Sequence, residues 1–271
     1  MVRRPLADDQ HGPDTFVVTS EVAMDTGQAE PATGSGRRLR ELIARTECVL
    51  FDFDGPICRL FPPSRAREVV ERQLHWLENR GLEAPLTSEE IAEGDTMAVL
   101  GAVDTRYRGS DLAVEFEAWL TREEMAAARS AYPTEWADPL IRTWHATGCR
   151  LAIVTNNSPA AAARYVENRG IGYCFAPHVY GRTHDLDRLK PDPDSLMRGL
   201  EGLGADPAAT LMIGDSASDC QAAYAAGVSF LGYGPRADKE TRLRKGGAEL
   251  VVRSLEPVLR LVVGRGAAER A

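Results

Sequence analysis

The stretch ECVLFDFDGP, residues 47–56, decides the fold. Cys48 to Phe51 form an apolar run that ends in two acids, Asp52 and Asp54, and Gly55-Pro56 marks a tight turn directly after them. An apolar run without polar alternation is the pattern of a strand covered on both faces, as in a parallel sheet. Side chains alternate along a strand, so Asp52 and Asp54 point one way while Phe51 and Phe53 face the packed side. Two carboxylates at the end of a buried strand repel each other and lose hydration. A divalent cation would remove that cost, and hard oxygen ligands suit magnesium.

Outward from this strand the chain alternates strand and helix. RRLRELIART, residues 37–46, precedes it as a short helix or approach segment. Downstream, RLAIVTNN (150–157), TLMIGDS (210–216) and VSFLGYG (228–234) are strands, with weaker ones in YCFAPHVYG (173–181) and ELVV (249–252). Helices separate them. One begins at Ser158-Pro159 and stops at Gly170, one runs from Asp192-Pro193 to Gly204, and one within SDCQAAYAAG stops at Gly227. A last short helix follows in LEPVLRLV. This alternation means α/β with a parallel sheet.

Between the first strand and the rest lies a helical region, from about Pro63 to Gly148, much longer than an ordinary crossover. SRAREVVERQLHWLENRG is its first helix, with Ala66, Val69, Val70, Leu74 and Leu77 on one side. TSEEIAEGDTMAVLGAV follows, with Thr87 and Glu90 spaced as a capping box. DLAVEFEAWL and TREEMAAARSAY are read as two further short helices, Thr121 and Glu124 being box-spaced at the second start. A helical subdomain inserted after the first strand accounts for this. Its edges fall near Arg59–Pro63 and Tyr132–Asp138, where prolines would stiffen a hinge. The expected organisation is a flexible N-terminal segment (1–36), an α/β core (37–58 and 139–260), a helical insert (59–138) and a C-terminal tail (261–271).

Four loops follow the strands of the core and would meet at the carboxyl edge of the sheet, where ligands bind in open α/β folds. The first carries Asp52 and Asp54. The second carries Thr155, Asn156 and Asn157, a hydroxyl and amides beside a helix start whose free N–H groups make an anion cradle. The third is Lys190-Pro191, one lysine on a stiffened backbone, able to neutralise a phosphoryl oxygen or hold an acid. The fourth, GDSASD (214–219), places Asp215 at a strand end and Asp219 one helical turn on.

Bulk properties narrow the function classes. The 271 residues are 44% hydrophobic and 27% charged, enough for a substantial core. A formal charge of -8 does not favour nucleic-acid or anionic-membrane partners, and the basic run RLRKGG (242–247) reads as a solvated face. Five scattered cysteines without a CxxC form neither a disulfide framework nor a zinc knuckle. No apolar stretch spans a membrane and the N-terminus lacks a signal-peptide core, so a cytoplasmic protein, a monomer or weak homodimer, is expected.

DFDG, then Thr155, then Lys190-Pro191, then GDSASD, in this order on an α/β background, resemble the haloacid dehalogenase-like hydrolase superfamily. The resemblance covers about residues 47–235, places the helical insert where the C1 cap class has its cap, and is nearest the phosphoglycolate phosphatase-like branch. It implies a Rossmann-like parallel-sheet core under an all-helical cap, and magnesium-dependent hydrolysis of a small phosphorylated metabolite. Asp52 would be nucleophile and metal ligand. Asp54 would be general acid and base, with its backbone carbonyl on the metal. Thr155 would bind the phosphoryl group with Asn156 beside it, and Lys190 would stabilise nucleophile and phosphoryl charge. Asp215 would complete the metal shell, and Asp219 would support metal waters or Lys190. Pro56 departs from the usual threonine or valine and removes one N–H from the turn. Arg106, Arg108 and Trp119 are candidates for reading substrate from the lid. Two other activities use the same scaffold: a sugar phosphomutase and a catalytically idle binding or regulatory protein. A phosphonate-cleaving relative would need a lysine in the insert, and residues 59–138 contain none.

Overall fold

The computed structural model describes residues 34–82 and 94–268. Residues of the N-terminal segment up to 33, and the Thr87–Glu90 box, lie outside the described residues.

Strand β1 (Cys48–Phe51) is the axis of the core. It is hydrogen-bonded in parallel to β4 (Arg150–Val154) on one side and β6 (Thr210–Gly214) on the other. Phe51 stands opposite Ile153 in one neighbour and Ile213 in the other, so all three strands end level. With β5 (Val179–Tyr180), β7 (Ser229–Tyr233) and β8 (Val251–Val252) they form a six-stranded parallel sheet of order β5-β4-β1-β6-β7-β8. The chain winds outward from β1 through β4 to β5, then returns to β6. The switch of direction therefore falls beside β1, where such sheets leave a crevice at their carboxyl edge.

The period of two along β1 decides which helices cover each face. Val49 and Phe51 join one cluster with α1 (Gly34–Arg45), α5 (Ala137–Ala146), α6 (Pro159–Asn168) and α10 (Glu256–Ala268). Cys48 and Leu50 join the other, with α7 (Asp194–Leu203), α8 (Ala217–Ala225) and α9 (Ala237–Lys245). Phe51 packs edge-on against Trp144 and Phe175, with ring centroids 5.9 and 6.1 Å away. This is an α/β fold with a Rossmann-like sheet between two helical layers.

The insert is helical and has its own apolar centre. Helices α2 (Pro63–Glu78), α3 (Thr96–Tyr107) and α4 (Asp111–Ala127) enclose Val69, Val70, Val99, Val103, Phe116 and Leu120. Chain entry and exit are tied by a two-stranded antiparallel ribbon, β2 (Cys58–Arg59) with β3 (Tyr132–Pro133). The ribbon falls at the two edges of the insert read from the prolines.

Three sequence expectations change. DLAVEFEAWL and TREEMAAA are one continuous helix, α4. Its stripe Phe116, Leu120, Glu124 and Ala127 is buried throughout, and Thr121 and Glu124 both accept from Arg182 instead of capping a new start. The expected lead (1–36) gives way to helix α1 at Gly34, and the expected tail (261–271) is helical to Ala268. Helix α10 buries Val258 and Val262, and Arg265 donates to the carbonyls of Ile43 and Thr46, pinning the two terminal helices together. The segment around RLRKGG is a solvated face, as expected, and is partly helix α9, supported by Asp238–Arg242 and Glu240–Arg244 pairs at i,i+4. Among the described residues no helix is long and apolar enough to cross a membrane.

Candidate active site

The level ends of β1, β4 and β6 bring Asp52, Thr155 and Asp215 to one rim. Asp52 is held by its backbone N–H to the Ile213 carbonyl, 2.9 Å, and the residue is 7% exposed. Two residues on, the Asp54 carboxylate accepts from the Leu60 N–H at 2.8 Å. The turn between them closes without the N–H that Pro56 lacks. Gly55 N–H donates to the Cys58 carbonyl, and Ile57 and Cys58 donate to that of Phe53. Gly55 has φ +124°, and a Cβ there would collide with the Asp215 carboxylate, so only glycine lets this turn approach the acid.

Lys190 reaches the rim from the loop before α7. Its ammonium donates to Asp52 Oδ1 at 2.7 Å, Asp219 Oδ1 at 2.6 Å and the Val154 carbonyl at 3.1 Å, which uses all three of its protons. Burial alone would lower its pKa, but the Asp219 and Asp52 carboxylates outweigh that and raise it, so it is a fixed cation. Asn156 grips the backbone of the same lysine, accepting from Lys190 N–H at 2.8 Å and donating to the Lys190 carbonyl at 3.1 Å. Its amide is thus committed to placing Lys190.

Asp219 closes the constellation from the first turn of α8. Its Oδ2 accepts from the backbone N–H groups of Asp215 and Ser216 and from Ser216 Oγ, forming a capping box, while its Oδ1 meets Lys190. Burial would raise its pKa, but Lys190 and these hydrogen bonds bring it below the ordinary value. Both oxygens are spent on protein donors, so Asp219 fits a supporting part.

The other acids are poorly compensated. Burial pushes Asp52, Asp54 and Asp215 up to about 7, despite Lys190 on the first, the Leu60 N–H on the second and Lys239 on the third. Lys239, on α9, contacts the Asp215 carboxylate. Four carboxylates face two ammonium groups here. Fully ionised, they leave two negative charges, matching one divalent cation. Oxygens of Asp52, Asp215 and Asp219 lie within 4.8 Å of one another, a separation that suits shared coordination. Donor chemistry and spacing therefore fit a hard cation, with Asp52 Oδ2 and Asp215 Oδ1 not bonded to protein donors among the described residues.

Thr155 is buried beside the acids. Its Oγ1 donates to Asn157 Oδ1 and accepts from Asn157 N–H, both at 3.1 Å. The cradle expected at the start of α6 is different from the reading above. Ser158 caps with no side-chain bond, and its N–H is taken by Glu124 of α4 at 2.9 Å. A cavity of about 300 Å³ opens over the rim, walled on the insert side by Phe61, Ala66, Asp95, Thr96 and Met97. A second one, about 530 Å³, meets it at Asp54 and Asp215 and is lined by Arg59, Arg236 and Lys239.

Arg106, Arg108 and Trp119 do not line either cavity. Arg108 pairs with Asp187 and Asp104, Trp119 stacks on Phe116 within the insert, and Arg106 lies over Tyr107. Sequence reading missed Lys239, Glu124 and Arg182 as parts of the rim and its support. Glu124 did carry a signal: it interrupts the apolar stripe of α4, where a charge must find a buried partner.

A Rossmann-like sheet with this rim of acids, a buried lysine and an anion-sized cavity under a helical cap defines a hydrolase of the phosphatase class. The haloacid dehalogenase-like hydrolase family matches residues 46–227. A phosphoglycolate phosphatase of Neisseria gonorrhoeae is 29% identical over 197 residues, which are 70% of this chain and 80% of that protein. Among solved structures, a haloacid dehalogenase family hydrolase from Deinococcus radiodurans with bound phosphate and sodium is 25% identical, with TM-score 0.54, covering 83% of this chain and 97% of that one. A β-phosphoglucomutase from Clostridium difficile shares the fold at 15% identity and TM-score 0.61, with coverage of 83% and 99%. The chain belongs to the haloacid dehalogenase-like hydrolase family, in its phosphoglycolate phosphatase-like branch.

Proposed function

We propose that this chain hydrolyses a small-molecule phosphate monoester with the help of Mg2+, through an aspartyl-phosphate on Asp52. The observation that carries the reading is the buried rim itself: Asp52 bonded to Lys190 at 2.7 Å, with Asp215 close enough to share a cation. Bound Mg2+ would be held by Asp52, the Asp54 backbone carbonyl and Asp215, and would supply charge neutralisation that lets an anionic carboxylate meet an anionic phosphate.

The chain's own groups do the rest. Asp52 attacks phosphorus in line, and the P–O bond to the leaving alcohol breaks. Asp54, pushed up to about 7 by burial, holds a proton near neutral pH and gives it to the leaving oxygen. It then takes a proton from the water that hydrolyses the acyl phosphate, releasing orthophosphate and restoring Asp52. Lys190 and the Thr155 hydroxyl stabilise the equatorial phosphoryl oxygens. Asn156 serves through Lys190, whose backbone it holds.

The cavity size suits a small phosphorylated metabolite. The Neisseria gonorrhoeae relative acts, by name, on phosphoglycolate, and a short phosphorylated acid is the first substrate to try. The test is phosphate release across a panel of metabolites, with Mg2+ and with a chelator, for wild type and Asp52→Asn. We expect metal-dependent release that falls by roughly a thousandfold or more in the variant, with the fold retained. Full turnover by pure Asp52→Asn would exclude Asp52 as the nucleophile. Isomerised monophosphate, rather than orthophosphate, after adding a sugar bisphosphate would indicate a mutase instead.

A further inference from the structure

The loop that carries Thr155 is gripped from helix α4 of the insert. Arg182 and Glu124 form an ion pair whose side chains are both fully buried. Arg182 donates from Nη1 to Glu124 Oε1 and to the Asn156 carbonyl, from Nη2 to Glu124 Oε2 and Thr121 Oγ1, and from Nε to Glu117 Oε1, all between 2.9 and 3.0 Å. Glu117, Thr121 and Glu124 lie at i, i+4 and i+7, one face of α4. One core arginine thus fastens two turns of the helix.

Glu124 passes the grip on. Its Oε1 accepts from Asn157 Nδ2 at 3.0 Å and its Oε2 from Ser158 N–H at 2.9 Å. Pinning the amide nitrogen turns the other end of Asn157 toward Thr155, whose hydroxyl donates to Asn157 Oδ1. Asn157 therefore contacts Thr155 Oγ1 twice and fixes its rotamer, and the one hydroxyl proton, held by Asn157 Oδ1, has to turn away from it to reach an incoming phosphoryl oxygen. Stability alone is a poor reason for such a pair. Taking two charges out of water costs several kcal/mol per ion, and apolar replacements of similar volume are often as stable.

We propose that Glu124 and Arg182 are positioning residues, which couple the seating of cap helix α4 to the orientation of the Thr155 hydroxyl in the phosphoryl subsite. This rests on the phosphatase reading above. Helix α4 has its Phe116 and Leu120 in the centre of the insert and its Ala127 in the core, so it links the two. A cap displaced from the core would loosen Arg182, free Asn157 and blur Thr155; a seated cap sharpens it. Turnover is thereby confined to the seated state.

The test uses the full chain with Mg2+ and p-nitrophenyl phosphate, comparing wild type, Glu124→Gln, Asn157→Ala and the double variant by kcat, KM and thermal midpoint. Each single change should lower kcat by about tenfold or more, and the double should be no worse than the worse single, because both break one chain of contacts. Losses that multiply in the double, or a lowered midpoint with unchanged kcat, would overturn the coupling and leave a merely structural pair. Should Glu124→Gln not fold, Asn157→Ala decides alone: a drop in kcat with a nearly unchanged midpoint supports the link, and an unchanged kcat removes it. Wild-type protein that releases no phosphate from any ester would instead defeat the phosphatase reading, and the proposal with it.

Discussion

At the scale of single residues, the rim is a set of charges that folding alone leaves unbalanced. Lys190 is fully bonded and Asp219 is fully bonded, but Asp52, Asp54 and Asp215 are pushed up to about 7 by burial. A carboxylic acid whose folded pKa lies above its unfolded value of roughly 4 contributes stability that is complete below that value and is lost as pH rises through the folded one. Asp219 has the opposite sign, and its contribution fades only as pH falls below roughly 4. Metal-free protein should therefore lose stability at the rim between about pH 4 and 7. Magnesium bound as proposed would meet the ionised acids, so the rise in thermal midpoint that it causes should be small at pH 5 and grow through pH 7. In Asp215→Asn the increment should shrink at every pH. An increment that is the same at pH 5 and pH 8 would show that these acids are not what the ion meets.

At the scale of elements, strand ends were legible and helix partners were not. The runs before Asp52, Thr155 and Asp215 are short, apolar and bounded by turn residues, so local pattern suffices to place β1, β4 and β6. Their common end follows from parallel pairing. The edges of the insert were legible because proline marks chain that cannot continue a helix. Continuous α4 was hidden by a false local signal. Thr121 and Glu124 have capping-box spacing, but Arg182, 58 residues beyond Glu124 in sequence, claims both. Lys239 was missed because α9 is too charged to show an apolar stripe, although its i,i+4 ion pairs were there to be read. Helix α3 has a clear local device: Asp95 accepts from the N–H groups of Met97 and Ala98 at 2.8 and 3.1 Å. Since Asp95 also walls the cavity, its loss has two readouts. Asp95→Ala should cost about 1 kcal/mol, a fall of a few degrees in thermal midpoint. An unchanged midpoint would mean that the insert does not depend on this cap.

At the scale of the whole molecule, one central strand organises the chemistry. Its two faces anchor the two helical layers, and Asp52, the proposed nucleophile, directly follows its end. The neighbours on either side bring the hydroxyl and the further acid to the same height. The insert leaves the core immediately after that end, through the β2–β3 ribbon, and returns a helix that grips the Thr155 loop from above. The insert wall and the cavity beside Asp215 are not revealed by a local pattern, because both are assembled from distant segments. The account stands on covalent attack by Asp52. Its most direct test is acid quenching during turnover of a good substrate, followed by mass analysis of the peptide that carries Asp52. The account predicts a hydroxylamine-labile phosphoryl group on Asp52 that forms with Mg2+ and is absent when the ion is chelated. Steady turnover with no adduct on that peptide, at a rate the chelator does not change, would contradict it.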